Sequence, residues 1–599
     1  MTLESLDIKQ QKLRQLQQIL PEIFEDGEII PEKLRDVFGD SVNESHAHYS
    51  FTWAGKRDCY KTIREKTHAT LKVDEDDSIP HGENVFIEGD NLEVLKLLQL
   101  SYHKKVKMIY IDPPYNKDKD FVYSDTWGDS IHNYLVQTDQ LRDEGYTTTK
   151  TNTTGRRHTN WLNMIYPRLW LSRNLLRDDG VIFVSIDDDE VHNLRKVMDE
   201  IYGEENFVEQ LIWKRRATPP NDRVIGRNHE YILVYAKKID YLNLNLQPRS
   251  KKLNEQYSNP DNDLNGSWSA SDLSANGKGD RLSASCIFPI LNPENGEEYN
   301  PPQNKCWLYN KEKIDKFLKE GRIGFRQKTG TPFLKRYLSE VRQGMTLPTI
   351  LSEVGYSSDS AKEFKLLFEN DYFDFPKPLK LLKKLLVSGS NNNDIILDFF
   401  AGSGTTAHAV MDLNQEDGGN RKYILVQLPE ATDPKSEAYK AGYNKISDIT
   451  KERIKRAMKK LDYKEGFKSF RLDKSNFQVF EEVKKRPDMS YEEIEKMLKM
   501  SMFHENILTQ GAKEMDIVYE VGLKNGFTLS AEVGEVTSEK YSFITLREDE
   551  RVFYFCFDKQ VEGDIVHDIP QDAKLICYEK ALTTNVKLNL RENVDLEVL

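Results

Sequence analysis

Cysteine is scarce in this chain: five residues in 599, Cys59, Cys286, Cys306, Cys556 and Cys577, each standing alone. An odd number without close pairs argues against a disulfide framework and against Cys-based zinc or redox centres, so all five are expected to be reduced and structural. Long hydrophobic runs are missing too. Nothing approaches the ~20 apolar residues of a membrane-spanning helix, and the opening MTLESLDIKQQKLRQLQQIL has no basic start leading into an apolar core. The expected location is therefore the cytoplasm. No internal repeat, low-complexity tract or G-x-x-x-x-G-K-[ST] sequence is present, which excludes a P-loop ATPase or helicase. Positive charge does not prevail either, since 85 Lys and Arg face 98 Asp and Glu for a net charge of −13. That total leaves nucleic-acid binding open, because phosphates respond to local patches rather than to the sum.

What is present is an ordinary globular balance, 38% hydrophobic and 31% charged, in a chain too long for one core. At ~150 residues per domain it should form about three or four. Residues Ser5 to Phe24 carry apolar side chains at helical spacing, followed by a polar and acidic connector through Ser78. From Asn84 the pattern becomes short apolar runs, VFIEG, VKMIYID and VIFVSID, each followed by turn or helix-start residues. This is the pattern of parallel strands alternating with helices. The Thr-rich stretch from Lys117 to Asn160 reads as a long mobile loop. After EYILVYAKK a polar region rich in Asn, Ser, Gly and Pro runs to about Asn370, as an irregular insert. A second α/β segment follows, with a helix around Leu379 to Leu386, the strand IILDFF, a Gly turn, the helix TTAHAVMDL and the strand YILVQL. Beyond about Gly466, helices such as YEEIEKMLKM and a hairpin from YSFITL to RVFYFCF suggest a small α+β domain.

Two segments carry chemistry. Asp112-Pro113-Pro114-Tyr115 follows the strand VKMIYI directly, at the carboxyl end where ligand sites form in parallel sheets. An exocyclic amine on a nucleobase is a poor nucleophile until acceptors hold its N–H bonds and let the nitrogen become tetrahedral. Asp112 and the Pro113 carbonyl are suitable acceptors. The prolines restrict the backbone and add no competing N–H, and Tyr115 can stack on a base swung out of a duplex. The second segment is Asp398-Phe399-Phe400-Ala401-Gly402-Ser403-Gly404-Thr405-Thr406, between a strand and a helix. Gly402 and Gly404 allow a tight turn and close approach by a ligand, and the helix start favours a carboxylate such as that of S-adenosylmethionine. No Lys follows the glycines and no third Gly completes a dinucleotide fingerprint.

The pairing of DPPY with FAGSGTT, in that order, resembles the amino-methyltransferases of DNA in their β class. IEGDNLEVLKLL, MIYIDPPYNKDKDFVYSD, RLWLSRNLLRDDGVIFVSIDD, FPKPLKLLKKLL and LDFFAGSGTTAHAVMDLN together resemble the Mod subunits of type III restriction-modification systems. The resemblance implies a doubly wound, Rossmann-like α/β methyltransferase core with permuted motif order, built from residues 80–240 and 372–465. An N-terminal helical arm (1–79), a target-recognition insert (241–371) and a C-terminal α+β domain (466–599) would complete the chain. It implies adenine-N6 methylation of double-stranded DNA with S-adenosylmethionine, a flipped adenine, a homodimer and an ATP-dependent helicase-nuclease partner. The alternatives are a solitary methyltransferase or cytosine-N4 methylation. Asp112 to Tyr115 would activate the amine. Asp398, Phe399, Gly402, Gly404 and Thr405 would cradle the methionine and ribose, Asp90 would lie near the cofactor's adenine, and Lys377 in FPKP would contact its carboxylate. Gln427 stands where many relatives have an acidic ribose ligand, with Glu430 as a substitute. No cysteine follows a proline, so carbon methylation of cytosine is disfavoured.

The remaining features have plainer readings. Asp187-Asp188-Asp189-Glu190 is expected to cap the following helix rather than hold Mg²⁺, and no metal is expected. From Trp213 to Lys238 seven basic residues face two acidic ones, and Lys214, Arg215, Arg216, Arg223 and Arg227 are expected to follow a DNA backbone. Pro487-Asp488 lacks the E-x-K that a nuclease would need.

Overall fold

A computed structural model describes residues 7–20, 50–80, 82–117, 154–221, 224–249, 251–276, 284–293, 295–477, 508–571 and 573–599, with a few isolated positions between them. Most of the Lys117–Asn160 stretch, Arg223, Pro487-Asp488 and YEEIEKMLKM lie outside the described residues. No described helix is long and apolar enough to cross a membrane.

The frame is a ten-stranded sheet. Its strands are β1 (Ala69–Val73), β2 (Asn84–Glu88), β3 (Val106–Ile111), β4 (Leu176–Ile186), β5 (Phe207–Lys214), β6 (His229–Ala236), β7 (Ile350–Leu351), β8 (Ile395–Asp398), β9 (Lys422–Gln427) and β10 (Phe467–Lys474). Their spatial order is β7-β5-β6-β4-β3-β8-β9-β2-β10-β1. The six central strands, β4 to β10 in that order, are mutually parallel. Their apolar side chains are buried on both faces, β3 along its whole length, because helices cover both sides of a parallel sheet. These are α1 (Asn91–Ser101), α2 (Thr154–Leu175), α3 (Val191–Tyr202), α4 (Ser357–Phe368), α5 (Leu379–Gly389), α6 (Thr405–Asp417) and α7 (Ile446–Leu461).

The connections place the site. From β3 the chain crosses through α2 to its neighbour β4, and from β8 it crosses through α6 to β9, on the opposite side. Between β3 and β8 the crossovers therefore diverge, and a crevice opens at the carboxyl ends of these two strands. Their register pairs Leu397 with Ile109, so the segments that follow each strand leave the sheet side by side.

The domain boundaries drawn from composition fall differently in space. β1, from the expected arm, and β10, just past the expected core, both join the central sheet, with β10 paired to β2 and β1. Phe467 and Phe470 are fully buried there, which is what brings the strand into the core. The separate compact unit spans residues 245–347 rather than 241–371, and β7 and α4 belong to the larger unit. That smaller unit has its own three-stranded antiparallel sheet, Trp268–Asp272, Pro332–Tyr337 and Ile323–Phe325. Leu273, Ile290, Trp307, Ile314 and Ile323 form its core. Near the C-terminus, β11 (Glu532–Thr537), β12 (Ser542–Glu548), β13 (Arg551–Cys556), β14 (Lys574–Cys577) and β15 (Asp595–Val598) form a second sheet in sequence order. This sheet belongs to the larger unit, and the helix Glu514–Lys524 joins it to α1, where Ser101 donates to the Leu523 carbonyl.

Candidate active site

Asp112-Pro113-Pro114-Tyr115 and the Gly loop after β8 line one cavity of about 530 Å³. Trp161 of α2 donates its indole N–H to the Pro114 carbonyl at 2.7 Å, which fixes the proline turn. Asn116 takes the left-handed conformation at φ 59° and donates to Glu190 at 2.5 Å. His158 also meets Glu190, at 2.6 Å, and Asn193 donates to its other oxygen at 2.7 Å. The acidic run before α3 thus does not cap that helix with its side chains. Glu190 anchors the end of the proline turn, and Asp187 receives Lys117 at 2.6 Å. Among the described residues no group of three or more metal-type side chains comes together.

At the centre of the cavity Lys377 donates to both oxygens of Asp112, at 2.8 and 2.7 Å, and to the Tyr115 hydroxyl at 2.8 Å. Tyr115 donates in turn to Asp112 Oδ1 at 2.7 Å. Glu230 of β6 lies 3.6 Å from the same ammonium and pairs with Arg215 on its other side. Burial works against charge on Lys377, but Asp112 and Glu230 outweigh it and hold its pKa above the ordinary lysine value. Burial likewise opposes charge on Glu230, and Lys377 and Arg215 outweigh it and hold its pKa below the usual carboxylate value.

The Gly loop is built from below and from the side. Gly402 and Gly404 have φ of 53° and 79°, conformations that cost most residues about 1 kcal/mol or more. A Cβ on Gly404 would sit 3.1 Å from Thr450 of α7, a tight contact that adds to the backbone preference for glycine there. Gln427 at the end of β9 accepts from the Gly402 N–H at 2.7 Å, and Thr450 donates to the Gly402 carbonyl at 2.5 Å. Asp398 accepts from the Phe400 N–H at 3.0 Å and the Thr406 hydroxyl at 2.5 Å.

Burial pushes the Asp398 carboxyl up to about 7, against those two donors. Because the folded value exceeds the unfolded one of ~3.9, the native state holds an extra proton between these limits. The stability this proton confers is lost as pH rises through that window. Asp398→Asn, which stays neutral, should therefore gain stability on the wild type between pH 5 and pH 8. Urea midpoints at the two pH values test this, and parallel behaviour of the two proteins would refute it.

Several expected residues have other partners. Asp90 caps α1 through Leu92 and Glu93 N–H groups and pairs with Arg168 at 3.0 Å. Phe399 is fully buried in the core with its carbonyl held by Asn91, and Phe400 lines the cavity instead. Gln427 is engaged with the loop backbone, and Glu430 is exposed. Arg227 pairs with Asp188 at 3.3 Å, and Arg215 with Glu230, while Lys214 and Arg216 form no ion pair among the described residues. Arg215 and Arg216 line the cavity. Glu230, Trp213, Thr450 and Arg453 are the contributors that motif reading missed. Glu230 was visible as the one charge within the strand HEYILVYA, and Arg453 as a charge within the buried stripe of α7.

With this geometry in view, the comparisons are specific. A family model described as DNA methylase (N6_N4_Mtase) matches residues 106–459. The StyLTI Mod subunit of a type III restriction-modification enzyme from Salmonella typhimurium is 36% identical, over 75% of this chain and 71% of that protein. The EcoP15I Mod subunit of Escherichia coli is 34% identical over 76% of each. Among solved structures, the complex of M1.HpyAVI with SAM covers 62% of this chain and 98% of its own at 14% identity, with a TM-score of 0.28. The match of the family model across both motifs and the extended similarity to Mod subunits place this chain in the DNA methylase family, among the Mod subunits of type III restriction-modification enzymes.

Proposed function

We propose that this chain transfers a methyl group from S-adenosylmethionine to the N6 amine of adenine in a specific DNA site, as the modification and recognition subunit of a type III system. The observation that carries this reading is the placement of Asp112 and the Gly loop at the ends of two adjacent parallel strands, opening into one cavity. S-adenosylmethionine, when bound, supplies a methyl group on a positively charged sulfur. Gly402 and Gly404 leave room for a ligand beside the backbone, and the start of α6 favours its carboxylate.

The protein's own residues then activate the amine. A carboxylate offers about four lone-pair sites. Lys377 and Tyr115 engage Asp112 with three contacts, two on Oδ1 and one on Oδ2. That leaves a site on Oδ2 for an amine N–H, with the Pro113 carbonyl as the second acceptor. Lys377 and Tyr115 hold the carboxylate in place, so the geometry is set before the amine enters. Once the nitrogen carries the methyl group it is cationic, and it gives up its proton to the acceptor in contact with it.

The target base must leave the duplex to reach this depth. Arg216 lines the cavity, neither it nor Lys214 at the end of β5 forms an ion pair among the described residues, and the loop between β5 and β6 exposes Val224 and Ile225. Arginines beside exposed aliphatic side chains suit a duplex opened at one base. Recognition of the sequence by residues 245–347, homodimer formation and a helicase-nuclease partner belong to the same proposal and rest on family membership.

Single-molecule sequencing of plasmid DNA from cells expressing the chain tests the function. The expected result is N6-methyladenine in one short motif. Methylation on cytosine N4 instead, or unmodified DNA with folded protein and cofactor supplied, would overturn the adenine reading.

A further inference from the structure

Three arginines of the described chain are almost fully buried, and two of them have carboxylate partners. Arg168 pairs with Asp90 at 3.0 Å and Arg421 with Asp417 at 2.9 Å. Arg453 differs. It is 2% exposed and forms no ion pair among the described residues, and its Nε has no acceptor. Its Nη1 donates to the hydroxyls of Ser403 and Thr405, both at 2.7 Å. Burial lowers its pKa to about 10, with Glu363 opposing only in part. Taking a cation out of water without an opposite charge is costly, and such groups normally find a partner. Stacking near Phe364, 5.7 Å from the guanidinium, replaces little of that lost hydration.

The missing negative charge has an obvious place. Ser403 and Thr405 belong to the Gly loop and line the cavity. A hydroxyl has one proton to donate and two lone pairs. Arg453 occupies a lone pair on each oxygen, so the protons of both hydroxyls must be directed elsewhere. The two oxygens lie 3.2 Å apart, so one proton can bridge them. At least one remains for a ligand in the cavity. The guanidinium polarises that O–H bond, and the start of α6 adds positive potential from the same side. The assembly suits a carboxylate.

We propose that Arg453 is the positioning residue for the carboxylate end of the cofactor, acting through the Ser403 and Thr405 hydroxyls. This rests on the Gly loop as the cofactor's methionine subsite. Arg453 sits one helical turn beyond Thr450, which holds the Gly402 carbonyl, so one face of α7 fixes the backbone of the loop and charges its side chains. The buried cation is retained because the ligand supplies its counter-charge.

Calorimetric titration with two ligands separates this role from mere support of the loop. S-adenosylhomocysteine carries the amino-acid carboxylate, and 5′-methylthioadenosine keeps the nucleoside and thioether without it. Arg453→Met should weaken S-adenosylhomocysteine roughly 10- to 100-fold, the range for a hydrogen bond to a charged group, and leave 5′-methylthioadenosine unchanged. Arg453→Lys should recover part of the loss. The double variant Ser403→Ala, Thr405→Val keeps the cation and removes the hydroxyls; it should reproduce the selective loss and provides the test if Arg453→Met does not fold. Equal weakening of both ligands, or no weakening of S-adenosylhomocysteine, would overturn the proposal. Failure of the wild type to bind S-adenosylhomocysteine would instead overturn the cofactor reading on which it rests.

Discussion

Asp112→Asn is expected to lower kcat for adenine methylation by about 10³-fold, the scale for losing a preorganised polar contact to a developing charge. Affinity for S-adenosylhomocysteine should change little. The substitution keeps the shape of the side chain but replaces one carboxylate oxygen by an N–H donor and removes the negative charge. The site on Oδ2 that faces an amine N–H would then be lost or would present a donor to a donor. Lys377 retains Tyr115 at 2.8 Å and Glu230 at 3.6 Å, so the cavity need not collapse. The Gly loop is held by Gln427, Thr450 and Arg453, none of which touches Asp112. Single-turnover methylation of a DNA duplex and calorimetry on the same preparation measure the two quantities. A variant that methylates at the wild-type rate would remove Asp112 from the chemistry, and one that loses both activities equally would make it a structural residue.

The central strands were legible because burial on both faces leaves a continuous apolar run. VKMIYI and IILD come close to that form, each with a single charge, and they are β3 and β8. The outer strands were not. ATLKV and FKSFRLDK mix lysine, serine and aspartate with apolar residues, since β1 is the edge and β10 carries side chains that reach solvent. A boundary drawn at a change of composition therefore separated both from the sheet they belong to. The insert reads wider in composition than in space for a related reason. IL at 350–351 is too short to register as a strand, and only its pairing with Ile212 and Trp213 shows where it belongs.

Within the site, the legible part was what lies contiguous in the chain. DPPY and FFAGSGTT can be read because each completes its own turn after its own strand. Their supports are remote. Lys377 reaches Asp112 across 265 positions, so the sequence does not disclose that its ammonium is held by that carboxylate. The same holds for Gln427, where absence of an acidic residue suggested a weakened ribose contact, whereas its amide oxygen holds the Gly402 N–H. Arg453 was open to discovery. In ISDITKERIKRAMKKL the buried positions include Ile449, Thr450, Arg453, Ile454 and Ala457, and an arginine in that stripe signals a buried partner.

Lys377→Met should have the largest effect on stability. The lysine is 10% exposed, and the carboxylates it touches, Asp112 and Glu230, are 27% and 6% exposed. Methionine fills the space of the side chain but leaves two carboxylates sharing a poorly hydrated cavity, with Arg215 beside only one of them. Removing one member of a buried ionic cluster typically costs about 3–5 kcal/mol. The pH dependence identifies the cause. In the wild type, Lys377 is held above its ordinary value, so its contribution is present through neutral pH and is lost only as pH rises past that value. Glu230 is held below its ordinary value, so its contribution is present above that value and fades only in acid. Neither titrates between pH 5 and pH 8. In the variant the carboxylates face each other without the ammonium, and proton uptake relieves the repulsion. With the ammonium gone, burial pushes the Glu230 value up against Arg215 alone, and the stability that its proton uptake confers is lost as pH rises. Urea unfolding should show a deficit for Lys377→Met that is larger at pH 8 than at pH 5. Adding Asp112→Asn should recover part of it, as coupling between contacting groups requires. A deficit independent of pH and unaffected by the second substitution would mean that packing of the lysine stem, rather than its charge, holds the cavity together.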